Sequence, residues 1–346
     1  MENFVFRELG KDELFDPLTI CSTTPFTQAQ FYGEWQKSLG REVKRFIVSS
    51  NEKLVVYLQA IEYPLICNKS YFYIPYGPIT RGGGGLSEEF LKFLKSQLYD
   101  FARKNNAVFV RLDFTPPVQS YENKKLLTKF FTKAPFCTYH SAYFQPRVEW
   151  FLDLYNTEDV LLKEMHEKTR YSIRLAERKG ITTEIISSDF EKYFPIFYEL
   201  MLGTATRNSF SLHSKNYYQN IFKNLQTNSF LSIAKFGEKI LAIDLIIRHG
   251  NVANYVFGGS SNEERNRMPT YLAQWAAIHH AKILGDTSYN FGGIASGKIY
   301  KGWDGLTIFK KKFGGREVIH SDFFDVVAEP LWYHLYNVRK RIKNLL

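Results

Sequence analysis

Two stretches of this chain follow one plan, and that repetition limits what it can fold into. In one, Tyr255-Val256-Phe257-Gly258-Gly259-Ser260-Ser261 is an aromatic and β-branched run that stops at paired glycines, as a strand entering a tight loop does. Asn262 and Glu263 lead into a helix over 269–284, with Leu272, Trp275, Ala276 and Ile283 as its buried stripe. Gly285 closes the helix, and Tyr289-Asn290-Phe291 restarts extended structure before Gly292-Gly293. Earlier in the chain a strand over 70–74 leads through Tyr76-Gly77 and the run Gly82-Gly83-Gly84-Gly85 into a helix capped by Ser87. Glu88 and Glu89 complement the positive end of that helix. Phe90, Leu94, Leu98 and Phe101 line it, and Phe109-Val110-Arg111-Leu112 follows as a strand. Both copies take just over thirty residues from strand to strand. An internal repeat of an α/β unit is the reading, and 346 residues give each of two domains a core of its own.

The rest of the chain fits around these copies. A strand over 4–9, a helix over 27–39 and strands over 45–50 and 53–63 precede the first. Gln145-Pro146-Arg147 turns the chain at the end of a linker over 139–150, and a strand over 150–154 opens the second half. Thr157 caps one helix over 158–178, which Gly180 ends; Arg170, Arg174 and Arg178 share a stripe of it. A helix over 194–205 is interrupted at Thr206-Arg207-Asn208-Ser209, and another runs over 215–225. Residues 230–235 and 240–248 form a hairpin, 317–327 a strand, and 331–346 a terminal helix. The cations Arg339, Lys340, Arg341 and Lys343 of that helix suit its dipole, or peripheral contact with an anionic membrane surface.

A net charge of +10 favours an anionic partner. Cys21, Cys67 and Cys137 are odd in number and lack a CxxC pair, so neither a disulfide framework nor a zinc site is expected. Without a signal-like start or a long apolar run, the expectation is a cytoplasmic protein. The serine-hydrolase elbow, the zinc-protease helix motif and the nucleotide P-loop are all missing. Arg81 and the glycine run stand where backbone N–H groups cradle phosphate, but Leu86 replaces the small residue that a CoA-binding loop carries at its last place. Phe309-Lys310-Lys311-Lys312-Phe313-Gly314-Gly315 sets three cations between aromatic rings, and this segment is the candidate chemical centre.

The motifs that follow carry a resemblance. They are Gln145-Pro146 with Trp150-x-Leu152-Asp153-Leu154, and Lys168-Thr169-Arg170-Tyr171-x-Ile173-Arg174. Tyr255-x-Phe257-Gly258-Gly259-Ser260-Ser261 and Arg265-Asn266-x-Met268-Pro269-x-Tyr271-Leu272-x-Gln274-Trp275 continue the series. Tyr289-x-Phe291-Gly292-Gly293 and Phe309-Lys310-Lys311-x-Phe313-Gly314-Gly315 complete it. In this order they resemble the Fem family of non-ribosomal peptidyltransferases, most strongly from about residue 140 onward.

The resemblance implies an α/β (α+β) fold of two tandem acetyltransferase-like (GNAT) domains with mixed, mostly antiparallel sheets. Residues 1–145 with 316–346 would form the first, which binds precursor; 146–315 would form the second, which transfers the aminoacyl group, without the helical arm of some members. It implies aminoacyl-tRNA as co-substrate, no other cofactor and no metal. The acceptor would be a UDP-muramyl peptide or lipid-linked peptidoglycan precursor, and the protein a monomer in the cytoplasm or at the inner face of the membrane. Lys310, beside Phe309, would steady the oxyanion of the tetrahedral intermediate. Trp35 and Lys37, with His213, Tyr217 and Tyr255, would hold the acceptor; His213 stands where the family often has arginine. Arg170, Arg174, Lys311 and Lys312 would contact tRNA phosphates. An acyl-CoA-dependent N-acyltransferase acting on an envelope substrate is the competing enzyme reading.

Overall fold

The computed structural model describes residues 3–83, 87–114, 121–135, 145–224, 228–296 and 303–345. Gly84, Gly85, Leu86, Cys137 and the first half of the linker over 139–150 lie outside them. The chain divides into two units, Met1–Val148 with Ala295–Lys301 and Ile319–Leu346, and Glu149–Ile294 with Gly302–Val318.

In the first unit β1 (Phe4–Glu8) is followed by α1 (Gln30–Ser38), β2 (Val43–Ser50), β3 (Lys53–Pro64), β4 (Ser70–Ile74) and β5 (Ile79–Thr80). Next come α2 (Glu88–Lys104), β6 (Ala107–Asp113), α3 (Tyr121–Phe130) and β7 (Thr132–Lys133). Ser87 caps α2 by accepting from the Phe90 N–H at 3.1 Å, and the face carrying Phe90, Leu94, Leu98 and Phe101 packs into a core with Phe46, Leu58, Phe72 and Val110. The helix carries the chain from β4 to β6, which lie side by side in parallel; the other pairs of this sheet are antiparallel.

The second unit contains β8 (Val148–Asp153), α4 (Glu158–Glu164), α5 (Glu167–Arg178), β9 (Ile181–Ile186), α6 (Phe190–Asn208) and α7 (Lys215–Asn224). It continues with β10 (Ser229–Phe236), β11 (Lys239–His249), β12 (Val252–Ser260), α8 (Pro269–Ile283), β13 (Ser288–Gly293), α9 (Asp304–Lys311) and β14 (Arg316–Ile319). Its sheet runs β14-β8-β13-β12-β11-β10-β9, and α8 joins the parallel pair β12 and β13. The first unit is completed by β15 (Phe323–Val327), which lies between β6 and β7, and by α10 (Pro330–Leu345).

Four local expectations need correction. The helix over 158–178 is two helices, because Met165 and His166 are extended and the His166 ring accepts from the Lys168 N–H to start α5 afresh. Conversely, α6 continues through residues 206–208. Thr204 and Thr206 satisfy their hydroxyls on the carbonyls four residues back, so neither breaks the helix. The strand over 317–327 is split into β14 and β15. The buried face of α8 is Leu272, Ala273, Ala277, Ile278 and Ala281, while Ile283 is 65% exposed. Alanines spaced four residues apart let the helix lie close on the sheet, with the Ala273 carbonyl accepting from the Ser232 hydroxyl at 2.7 Å.

Candidate active site in the second unit

β12 pairs with β11 along its length but with β13 only where Val252–Asn254 faces Ser288–Asn290. Beyond that point the strands part. A bulge between Leu245 and Ile246 keeps Tyr255, Phe257 and the glycines after it on β11, while Gly293 pairs with Glu149 on β8. Asn254 and Asn290 stand where the parting begins. The Asn290 amide donates to Glu149 Oε1 at 3.1 Å and to Asn254 Oδ1 at 3.2 Å, and its own oxygen accepts from the Gly292 N–H at 2.7 Å. Gly292 has φ +75°, and a Cβ there would lie 3.5 Å from the Tyr255 carbonyl and 3.8 Å from Lys310 Nζ.

Lys310 therefore reaches this opening from α9. Its side chain is 4% exposed, and Nζ donates to the Gly293 carbonyl at 2.7 Å. Burial brings its pKa down to about 7, and the negative charge of buried Glu149 works in the other direction. A lysine in this state carries a proton for part of the time near neutral pH and is surrounded by little water. It is suited to donating a hydrogen bond to an oxygen that gains negative charge. The segment that carries it is helical, and Phe309 packs edge-on against Tyr271 and Phe313, with centroids 5.2 Å away in each case.

Tyr255 hydrogen-bonds Asp244, whose carboxyl is pushed up to about 8 by burial. Gly258 lies opposite Asp244 in the β11–β12 register. A Cβ on it would stand 2.2 Å from the Tyr255 hydroxyl and 2.4 Å from Asp244 Oδ1, so the pair fills the space that any larger residue needs. Two residues beyond Tyr255, Phe257 joins an aromatic cluster with His213, Tyr217 and Tyr218. The His213 and Tyr217 rings are 4.2 Å apart, and the Tyr217 and Phe257 rings 6.4 Å. The Tyr218 hydroxyl bonds the His213 backbone and is pushed up to about 12 by burial.

The other expected residues are placed differently. Arg170 turns its guanidinium onto the Lys163 and Met165 carbonyls at the end of α4, at 3.0 Å for Lys163, which occupies it in closing a helix. Arg174 and Lys311 are exposed. Lys311 Nζ lies 4.9 Å from the centre of the Trp150 ring, and the half-buried Lys312 offers its carbonyl to the His166 N–H. In the first unit Trp35 is buried with its ring edge-on to Tyr32 at 5.1 Å, and the neighbouring Lys37 is exposed and pairs with Glu34 at 2.8 Å. Lys310 and Tyr255 thus meet at one opening, His213 and Tyr217 meet in one cluster, and Arg170 is turned elsewhere. Sequence reading missed Glu149, Asn254, Asn290 and Asp244. Of these only Asp244 had a local signal, as the lone carboxylate in the apolar run Leu241-Ala242-Ile243-Asp244-Leu245-Ile246-Ile247. Among the described residues no group of His, Cys, Asp and Glu has metal-binding geometry.

A model described as the FemAB family matches residues 15–239 and 233–341. The lipid II:glycine glycyltransferase of Staphylococcus saprophyticus is 25% identical over 266 residues, 58% of this chain and 63% of that protein. The protein of that name from Staphylococcus aureus is 24% identical over 270 residues, with the same coverage. This chain therefore spans about 63% of the length of these relatives. Among solved structures, FemX has a TM-score of 0.78 at 21% identity, covering 92% of this chain and 97% of FemX. A tandem GNAT protein from the clavulanic acid biosynthesis pathway has a TM-score of 0.53 at 12% identity, covering 95% and 99%. The fold is accordingly that of two tandem acetyltransferase-like units with mixed sheets.

Proposed function

The chain belongs to the FemAB family, and from that premise we propose that it is an aminoacyltransferase that extends the stem peptide of a peptidoglycan precursor. Aminoacyl-tRNA is the donor. The precursor's amine attacks the ester carbon; the C–N bond forms, the C–O bond to the tRNA ribose breaks, and the proton lost by the amine leaves with the ribose hydroxyl. In the tetrahedral intermediate the former carbonyl oxygen is negative, and the Lys310 ammonium donates a hydrogen bond to it. The observation that supports this reading is the buried Lys310 amine beside the parting of β12 and β13.

Tyr255, held by Asp244, and the His213–Tyr217 pair are the acceptor-side contacts in this reading, with Lys37 on a phosphate of the precursor and Trp35 anchoring the buried face of α1. Arg174, Lys311 and Lys312 are the tRNA-side cations, and Arg170 supports Arg174 by tying α5 to the end of α4. The glycyltransferase relatives are named for lipid II, which favours a lipid-linked acceptor over a soluble one.

The test is incubation of the purified protein with charged tRNAs and each precursor form, with the product read by mass spectrometry. A mass gain of one or more aminoacyl residues is expected, with a loss of about 10²–10³-fold for Lys310→Met. No gain with any pair, or a gain from acyl-CoA alone, would overturn the reading.

A further inference from the structure

The terminal helix α10 leaves its apolar stripe in solvent. Leu331, Leu335, Val338 and Ile342 are 72%, 48%, 37% and 54% exposed. At 100° per residue their positions fall within about 60° of one another, on a single line down the helix. The opposite face is the one that packs. Tyr333 and Tyr336 lie against Phe109 with ring centroids 5.3 and 5.0 Å away, Tyr336 also meets Tyr71, and the Tyr333 hydroxyl donates to Asp325 at 2.7 Å. An ordinary surface helix turns its leucines inward and its polar residues outward. Here aromatic residues hold the helix to the sheet, and the aliphatic line faces away.

The charges around that line say what it meets. Exposed Arg339 and Arg341 fall about 80° to either side of it, and residues 330–345 contain no aspartate or glutamate. A line of leucine, valine and isoleucine bordered by cations on both sides is the pattern of a helix that lies in the surface of an anionic bilayer.

We propose that α10 seats this protein on the surface of an anionic membrane, with Leu331, Leu335, Val338 and Ile342 entering the acyl boundary and Arg339 and Arg341 meeting lipid phosphates. The proposal stands apart from the catalytic reading, because it concerns lipid binding in the absence of any substrate.

The experiment is co-sedimentation of the whole chain with vesicles of phosphatidylcholine alone and of phosphatidylcholine with phosphatidylglycerol. Binding is expected to the anionic vesicles and to weaken with salt. Leu335→Glu and Ile342→Glu each lower the partition coefficient by about tenfold or more. Arg339→Ser and Arg341→Ser lower it by about fivefold each. All four positions are exposed, so circular dichroism and melting temperature stay near those of the parent. Absence of binding to anionic vesicles, or binding that none of these substitutions reduces, would overturn the proposal. So would a concentration-dependent dimer, lost in Leu335→Glu, from a protein that ignores vesicles; the stripe would then be the contact with a second copy of the chain.

Discussion

Lys310→Met should remove activity and, at neutral pH, make the protein more stable. In the fold the Lys310 amine titrates at about 7 instead of its ordinary 10.5, chiefly because burial strips its water. At ~1.4 kcal/mol per pH unit that interval corresponds to a ceiling of about 5 kcal/mol held against the folded state whenever the amine must be charged. Between about pH 7 and 10.5 the unfolded chain binds this proton and the folded chain does not, so wild-type stability rises with pH across that window. Below 7 both states carry the proton and the full cost is present; above 10.5 neither does and the cost is gone. Methionine fills similar space without charge, but leaves the Gly293 carbonyl without its 2.7 Å donor, at about 1–3 kcal/mol. The variant should therefore gain about 2–4 kcal/mol at pH 7 or below, and the gain should shrink and change sign toward pH 10.5. Urea unfolding followed by tryptophan fluorescence, run on both proteins from pH 6 to above 10, measures the difference directly, since every other titrating group is shared. A difference that does not vary with pH would mean that the amine keeps its water in the folded protein. The proposed origin of its chemistry would then be wrong.

Three other substitutions act on contacts within the two units. Asp244→Asn should stabilise the protein above pH 4 and increasingly up to about pH 8: the native carboxyl keeps its proton to about 8 whereas the unfolded one loses it near 3.8, so wild-type stability falls as pH rises between these values. Equal pH profiles for the two proteins in urea would contradict that. Gly315→Ala should cost about 3 kcal/mol or more, because φ is +101° and the new Cβ would stand 2.2 Å from the Phe151 carbonyl oxygen; a melting temperature within a degree or so of the parent would refute the geometry. Asp325→Ala should cost about 3–5 kcal/mol in chemical denaturation by leaving the Arg111 guanidinium buried without the carboxylate it now grips through two 2.6 Å hydrogen bonds, and a near-neutral effect would mean that water reaches the arginine.

The repeat was readable because its punctuation is local: a strand, glycines, an N-cap serine or a helix-starting proline, then a second strand. The buried face of α8 was not, since Ala273, Ala277 and Ala281 carry little hydrophobic signal and owe their burial to close approach. The break at Met165 and His166 contains neither glycine nor proline, and a histidine ring supplies the cap. At the site, Lys310, Tyr255 and Tyr217 could be picked from motifs. Their surroundings could not: the Asn290–Glu149 contact joins positions 141 apart, and only the folded sheet brings them together. The same holds for Arg170, whose place in a basic stripe gives no hint that its guanidinium serves two carbonyls behind it.

The two sheets take their last members from one late stretch of the chain, β14 at Arg316–Ile319 and β15 at Phe323–Val327. For the first unit that stretch is far downstream of the strand it covers, with Arg111 and Asp325 separated by 214 positions. On a ribosome, where the chain emerges from its N-terminus, the first unit must wait with β6 uncovered and its arginine unneutralised while the whole of the second unit is made. The second sheet is thus the first to have all its strands made, and a chain cut short before residue 323 would hold every strand of the second sheet while the first lacked β15.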